Sequence, residues 1–336
     1  MRPLIIALGR SDNHPLLARH ARALGVAYLG LEGFEASDLL RTISRDGSRD
    51  GSRFISREDS RDSGAFANWI AQIPKDQPTI LAAIDTSISA GTLNSLHFAL
   101  SEAGISRLSL RTDPLLLEFS SRYKEELDEE SDVKTLHLLS IARSPHGQIA
   151  IWPIITVDRD GKILDEDAKE VLELSRDDEK ISHLLDQVIQ EAGEVGLVGV
   201  ATYIVEPERN SIIRREFGAS TFTFWSESAS YTSITEQLVR SLLDLPLGDA
   251  RTIDFEEFFL EEEIDIEPGL IVDPIRPFLH LFARNPRLKV AYLGDASGTK
   301  FERARLALFA SSDIEARLEM DHAKEFMLGR ADEHAS

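Results

Sequence analysis

The sequence predicts an α/β chain laid out in three consecutive stretches: a parallel-sheet opening, a middle of antiparallel hairpins, and a β-rich end closed by a helix. Three observations carry this. Residues 4–9 (LIIALG) and 26–31 (VAYLGL) are short apolar runs flanking a segment with helical periodicity, which requires a right-handed β-α-β crossover. Between residues 135 and 217, strand-like runs are separated by Ser144–Gly147, Asp158–Gly161 and Glu206–Asn210, all turn-forming in composition. Finally, Ile314–Leu328 has helical spacing after a strand-rich stretch over 275–310.

The elements follow in order. Leu16, Leu17, His20, Ala21 and Leu24 share one helix face, and Gly25 stops that helix. Residues 79–85 (TILAAID) predict a strand, 91–103 a helix ending at Gly104, and Arg107–Arg111 a short strand. Pro114–Leu127 predicts a helix. Strands are expected at Thr135–Arg143, at Gln148–Val157 and from Lys162, followed by a long amphipathic helix over Ala168–Ala192. Leu197–Val205 and Ser211–Phe217 predict a hairpin, and Ser233–Leu245 a helix.

Between the second and third strands the pattern breaks. Arg recurs at 41, 45, 49, 53 and 57, and Ser at 44, 48, 52, 56 and 60. A four-residue period is too short for a solenoid, and Gly, Ser and alternating charge bury too little apolar surface to offset chain entropy. Residues 41–64 therefore read as a disordered surface insertion, with a phosphorylation array as the less economical alternative.

Composition sets limits on function. Hydrophobic residues make up 42% of 336, an ordinary globular balance, and no apolar run reaches the length of a membrane span. The first residues read as a strand rather than an export signal, and cysteine is absent, so a cytoplasmic location is expected. A net charge of −21 makes nucleic acid and anionic membranes poor partners. Asp254–Glu267 carries eight acidic residues and no basic one, and reads as a solvated loop or helix face. The nine histidines show no metal-ligand spacing, and Gly294–Lys300 reads as a turn rather than a phosphate loop.

From Leu138 to Gly248 the chain resembles the N5-carboxyaminoimidazole ribonucleotide synthetases, ATP-grasp ligases of purine synthesis. Residues 139–164 (LSIARSPHGQIAIWPIITVDRDGKIL) match two strands of that family. Residues 196–205 (GLVGVATYIV) match the strand bearing its first metal-binding carboxylate. Ser233, Glu236, Arg240 and Leu245-Pro246-Leu247-Gly248 stand in register with a family helix and the loop after it. Residues 280–292 (HLFARNPRLKVAY) match its C-terminal strand pair loosely. The resemblance implies a Rossmann-like N-terminal domain over 1–112, a truncated ATP-grasp core over 113–250 and a small β-rich C-terminal domain over 251–336 with a terminal helix. It implies ATP and Mg²⁺ as cofactors, and a homodimer and a purine-pathway nucleotide as partners.

Much of the family's chemical apparatus is missing from the sequence. Only Asp128–Lys134 separates the helix ending near Leu127 from the core strand at Thr135, whereas a four-stranded nucleotide lid needs about 20 residues before turns. In register with the two carboxylates that hold Mg²⁺, this chain has Ile204 and Glu216. Glu206, two residues past Ile204, is a second candidate, although a surface Glu beside a turn is the simpler reading. The loop that supplies an Arg and two His in the family reads Phe217–Ser226 here, with Phe222, Phe224 and Trp225 in place of polar groups. Strand alternation would send the two Phe one way and Trp225 the other. Arg287 and Lys289 are candidate remnants of a phosphate cradle. The opening turn keeps Gly9, and its Asp12 would repel a phosphate and serves better, like Asn13, as a helix cap. No residue stands out as catalytic. The favoured expectation is a relative without catalytic activity, retained for binding or regulation. An active ligase with atypical ligands and a dimeric scaffold are the alternatives.

Overall fold

A computed structural model describes residues 2–9, 14–31, 52–55, 73–85, 88–113, 116–117, 136–157, 179–206, 209, 211–219, 221–223, 225–253, 257–267, 275–294 and 301–330. The first sheet is parallel. Its strands are β1 (Leu4–Leu8), β2 (Ala27–Leu31), β3 (Ser52–Ile55), β4 (Thr79–Ala83) and β5 (Leu108–Leu110), in the order β3-β2-β1-β4-β5. Helix α1 (His14–Ala23) and helix α2 (Ala90–Glu102) belong to this unit. β1 and β4 are buried along their whole length, as continuous apolar runs in a parallel sheet should be. The edge strand β3 corrects one expectation. Ser52–Ile55 falls inside the stretch read as disordered, yet it pairs in parallel with β2. Arg-Phe-Ile is the one repeat unit with two adjacent strand-forming apolar residues, and the edge of β2 offers unpaired backbone groups to it.

The second sheet is antiparallel. It comprises β6 (Leu136–Arg143), β7 (Ile149–Ile151), β8 (Ile155–Val157), β9 (Gly199–Glu206) and β10 (Ser211–Phe217), in the order β10-β9-β6-β7 with β8 also on β6. The single strand expected over 148–157 is therefore two. Pro153 has no N–H to give the ladder, and the chain bends there so that Trp152 is buried and its indole donates to the Thr232 carbonyl at 3.2 Å. Helix α3 (Glu179–Glu194) covers one face, through Leu184 and Val188 against Leu139, Ile141 and Tyr203.

After β10 come a 3₁₀ turn (Thr221–Thr223), a one-turn helix α4 (Ser226–Ala229) and helix α5 (Ile234–Leu242), which packs on the other face. Ser233 caps α5 by accepting from the Glu236 amide. Strand alternation therefore does not apply to Phe222 and Trp225, because the chain turns helically between them.

The third sheet holds β11 (Phe258–Asp265), β12 (Lys289–Gly294) and β13 (Phe301–Ala310), in the order β11-β13-β12. Helices α6 (Arg276–Arg284) and α7 (Asp313–Met327) pack against each other, and α7 also packs on β11 and β13. Two expectations change here. The acidic run is an edge strand rather than a loop or helix face, because Arg303, Arg305 and Lys324 neutralise Glu261, Glu262 and Glu263 from β13 and α7. Residues 276–284 form a helix inside the stretch expected to be strands. Pro277 sits in its first turn, and Phe278, Leu281 and Phe282 share its buried face.

One apolar core joins the three sheets. It runs from Ile5 and Leu17 through Ile204 and Leu238 to Phe282 and Leu306. Several expectations lie outside the described residues: the helix over Pro114–Leu127 apart from Leu116 and Leu117, the Asp128–Lys134 gap, the strand from Lys162, the caps at Asp12 and Asn13, and Phe224. Among the described residues no helix is long and apolar enough to cross a membrane.

Candidate functional site

The β9–β10 hairpin decides what the second sheet can hold. Its register places Ile204 opposite Arg214 and Glu216 opposite Thr202, while β6 sets Leu138 beside Ile204 and Ser140 beside Thr202. With side chains alternating along each strand, these six residues share one face of the sheet. Ile204 is fully buried and packs with Leu138, Ile234 and Leu238. Ser140 and Thr202 are also buried and bond each other, Oγ to Oγ1, at 3.0 Å.

Among the described residues of the hairpin, Glu216 and Glu206 are the carboxylates on this face, and Glu216 is ion-paired with Arg214. Glu206 ends β9, where Arg209 reaches it across the turn at 3.3 Å. Mg²⁺ needs converging hard oxygens, and a buried isoleucine and a guanidinium-paired glutamate do not provide them. Among the described residues, no three His, Asp or Glu side chains are grouped to hold a metal ion. The residues present do not fit the Mg²⁺·ATP that the resemblance implies.

The segment after β10 closes onto the first sheet. Gly218 has φ +84°, and any Cβ there would overlap the Ile84 carbonyl. The Ala219 amide donates to that same carbonyl at 2.6 Å. Phe222 and Trp225 are then buried in the shared core with Ile84, Ala219 and Ile204. A loop carrying Arg and His could present charge to a cleft at this place. Here that segment carries Phe222 and Trp225, both buried.

Arg287 and Lys289 are brought close to the α5 region, but neither is idle. Arg287 donates to Asp249 at 2.8 Å and to Glu257 at 2.6 Å, and stacks over the Tyr231 ring at 4.3 Å. Lys289 donates to Glu236 at 2.6 Å. Glu236 also accepts from Arg240, which is fully buried with its guanidinium 3.7 Å from the Phe282 ring centre. Burial raises the Glu236 carboxyl, but the Lys289 and Arg240 charges outweigh it and hold its pKa at about 2. Burial pulls the Lys289 ammonium down, with Glu236 opposing.

A second carboxylate lies beside this cluster. Glu227, on α4, accepts from Arg19 at 2.5 Å, from His20 at 3.3 Å and from Thr235. Burial raises its pKa, and the hydrogen bonds and charge of His20, with Thr235 and Ser233, lower it to about 2. No local pattern in the sequence points to Glu227. Arg19, His20, Glu227, Glu236 and Lys289 come from α1, α4, α5 and β12, and no local spacing links them.

The residues in register with the synthetase helix thus serve a joint. Gln237 clamps Gly248 in both directions, donating to its carbonyl at 2.7 Å and accepting from its amide at 3.0 Å. A Cβ at Gly248 would meet Thr232 and the Arg240 guanidinium. The Leu-Pro-Leu-Gly turn, Glu236 and Arg240 together lock α5 to the third sheet.

Comparison with known proteins gives the resemblance a measure. No family model matches the chain. It is 30% identical over 175 residues to N5-carboxyaminoimidazole ribonucleotide synthase of Mycobacterium bovis, which is 51% of this chain and 40% of that protein. It is 29% identical over 164 residues to the synthase of Mycobacterium leprae, covering 45% and 35%. The chain therefore spans less than half the length of the curated relatives it matches. Among solved structures, the N5-carboxyaminoimidazole synthetase of Staphylococcus aureus complexed with ADP aligns over 97% of this chain and 98% of its own at 9% identity and TM-score 0.48. The synthetase of Thermotoga maritima aligns over the same shares at 12% and 0.47. The sequence resemblance read from residues 138–248 is to these synthases.

Proposed function

We propose that this protein is a divergent relative of the N5-carboxyaminoimidazole ribonucleotide synthases that carries out no ATP-dependent carboxylation and is retained for binding or regulation. One observation supports this above the others. The sheet face that would present two carboxylates to Mg²⁺ carries Ile204 in the core, and Phe222 and Trp225 are packed in the same core beside it. Reopening that space would expose two large rings, each stabilised by roughly 1.5–3 kcal/mol of burial. The seven residues at Asp128–Lys134 are too few for a nucleotide lid and point the same way. Of the segments that resemble the synthases, the α5 joint has its charged groups engaged with one another. Function follows from the site rather than from the fold that carries it.

The test is ADP release by purified protein given ATP, Mg²⁺, aminoimidazole ribonucleotide and bicarbonate. The expected rate equals the background without protein. Release that depends on aminoimidazole ribonucleotide and is abolished by Glu216→Ala would overturn the proposal in favour of an active ligase with atypical ligands.

A further inference from the structure

Helices α6 and α7 are joined by two histidines. His280 and His322 lie with Nε2 3.0 Å from Nε2, and both are partly buried. Their ring centres are 5.3 Å apart. The excess of the second distance over the first is what two ring radii supply, so the imidazoles face end-on, nitrogen to nitrogen. Phe326 of α7 fixes the approach by stacking on His280, with ring centres 4.4 Å apart and planes at 12°. An end-on contact of this length is a hydrogen bond in which one Nε2 carries the proton and the other offers its lone pair.

Such a bond has a limited proton capacity. The acceptor ring keeps its own proton on Nδ1. The donor ring can take an added proton on its Nδ1 without disturbing the contact, and it then donates as a cation, which strengthens the bond. A second added proton has to go to the acceptor's Nε2. Two N–H groups and two like charges would then face each other across 3.0 Å. The pair accepts one proton in place and must separate to accept two.

The surrounding charges leave that repulsion standing. Arg284 of α6 is held by Glu319 of α7 at 2.9 and 3.0 Å, and Glu325 is the other carboxylate acting on His322. Beneath α7, Glu262 of β11 is paired with Lys324, which also meets Asp321. Arg303 and Arg305 of β13 alternate with buried Ala304 and Leu306, and so belong to the opposite face of the sheet. Burial, then Arg284 and His280, pull His322 below the ordinary histidine value, which makes it the ring that resists the second proton. The joint matters beyond these two helices. α6 also covers the buried Arg240 of α5, whose guanidinium lies 3.7 Å from the Phe282 ring centre.

We infer that His280 and His322 form a proton-operated latch between α6 and α7, closed with no added proton or one, and open when both rings are cations. Opening loosens the α6 cover over Arg240 at mildly acidic pH. Glu227 and Glu236 are still charged there, so the latch acts before the α5 joint itself titrates.

The experiment uses the absence of cysteine. Leu279 of α6 and Leu318 of α7 are exposed, and Leu279→Cys with Leu318→Cys gives two spin-label sites without competitors. The distance between the labels is measured by pulsed paramagnetic resonance on the full chain at pH 7.5 and pH 5, with chelator present so that no metal ion bridges the two nitrogens. A single short distance is expected at pH 7.5, and a shift to longer distance at pH 5 that reverses on return to pH 7.5. His322→Gln offers His280 an amide oxygen that does not titrate and keeps the stack on Phe326, so its distance should be the same at both pH values. His280→Gln makes the same test from the other side. By nuclear magnetic resonance, the ring signals of His280 and His322 should move together in two separated steps, and the histidine left in each variant in one. An unchanged distance at pH 5, a shift that persists in both variants, or independent titration of the two rings would overturn the inference.

Discussion

Arg214 lies directly opposite Ile204 in the β9–β10 ladder and ion-pairs with Glu216 two residues along its own strand. This relationship explains why one retained carboxylate does not make a metal site: its charge is already answered from the same strand. A partly exposed pair of this kind is worth about 0–1 kcal/mol. Glu216→Gln should therefore lower the melting temperature by only a few degrees, with or without millimolar Mg²⁺. If Mg²⁺ stabilises the wild type but not Glu216→Gln, a metal does sit at that carboxylate.

Gly218 is a backbone requirement. Its positive φ and its contact with the Ile84 carbonyl leave no room for a side chain. Gly218→Ala should destabilise by more than about 2 kcal/mol, combining left-handed strain with a backbone clash. Urea denaturation of the two proteins measures this. A change below about 0.5 kcal/mol, the usual surface value, would mean that the loop does not dock on β4.

Phe222 tests whether the segment after β10 is packed into the core. It is buried with Ile84, Ala219 and Trp225. Phe222→Ala should cost about 3–5 kcal/mol, as truncation of a core ring does. A ring that merely lines an open cleft would lose far less, and its removal would leave chemical denaturation nearly unchanged.

Acid should unfold this protein through two carboxylates. Glu227 and Glu236 are held at about 2 in the folded chain against an ordinary value near 4.5. A depressed folded pKa gives stability that is present above the unfolded value and lost as pH falls through the folded one. Stability should therefore drop between about pH 4.5 and 2, by on the order of 3 kcal/mol per group. Glu236→Gln should flatten that part of the profile and also cost about 3–5 kcal/mol at pH 7, because it strands the buried Arg240. A profile unchanged by Glu236→Gln would show that the carboxylate is not charged against Lys289 and Arg240.

Much of the parallel unit was legible locally. Apolar runs at 4–9, 26–31 and 79–85 can only be buried strands at that length, and Gly25 and Gly104 mark where the helices stop. The helix expected over Ser233–Leu245 formed as α5, with Ser233 as its cap. Local pattern misled where a distant partner outweighed it. Eight acidic residues look like a solvated surface until Arg303, Arg305 and Lys324 arrive from β13 and α7, and 276–284 looks like strand until its apolar face finds β12 and α7.

The candidate site divides in the same way. The sequence by itself determined that position 204, in register by resemblance with a carboxylate of the synthetases, carries an isoleucine, since the identity of a side chain is a local fact. Only the tertiary structure decided that Glu216 answers Arg214, that Arg287 and Lys289 are taken by Asp249, Glu257 and Glu236, and that Arg19 and His20 meet Glu227. Those relations join residues such as 19 and 227, or 236 and 289, through packing of α1, α4, α5 and β12, and long-range electrostatic pairing leaves no periodic trace along a chain.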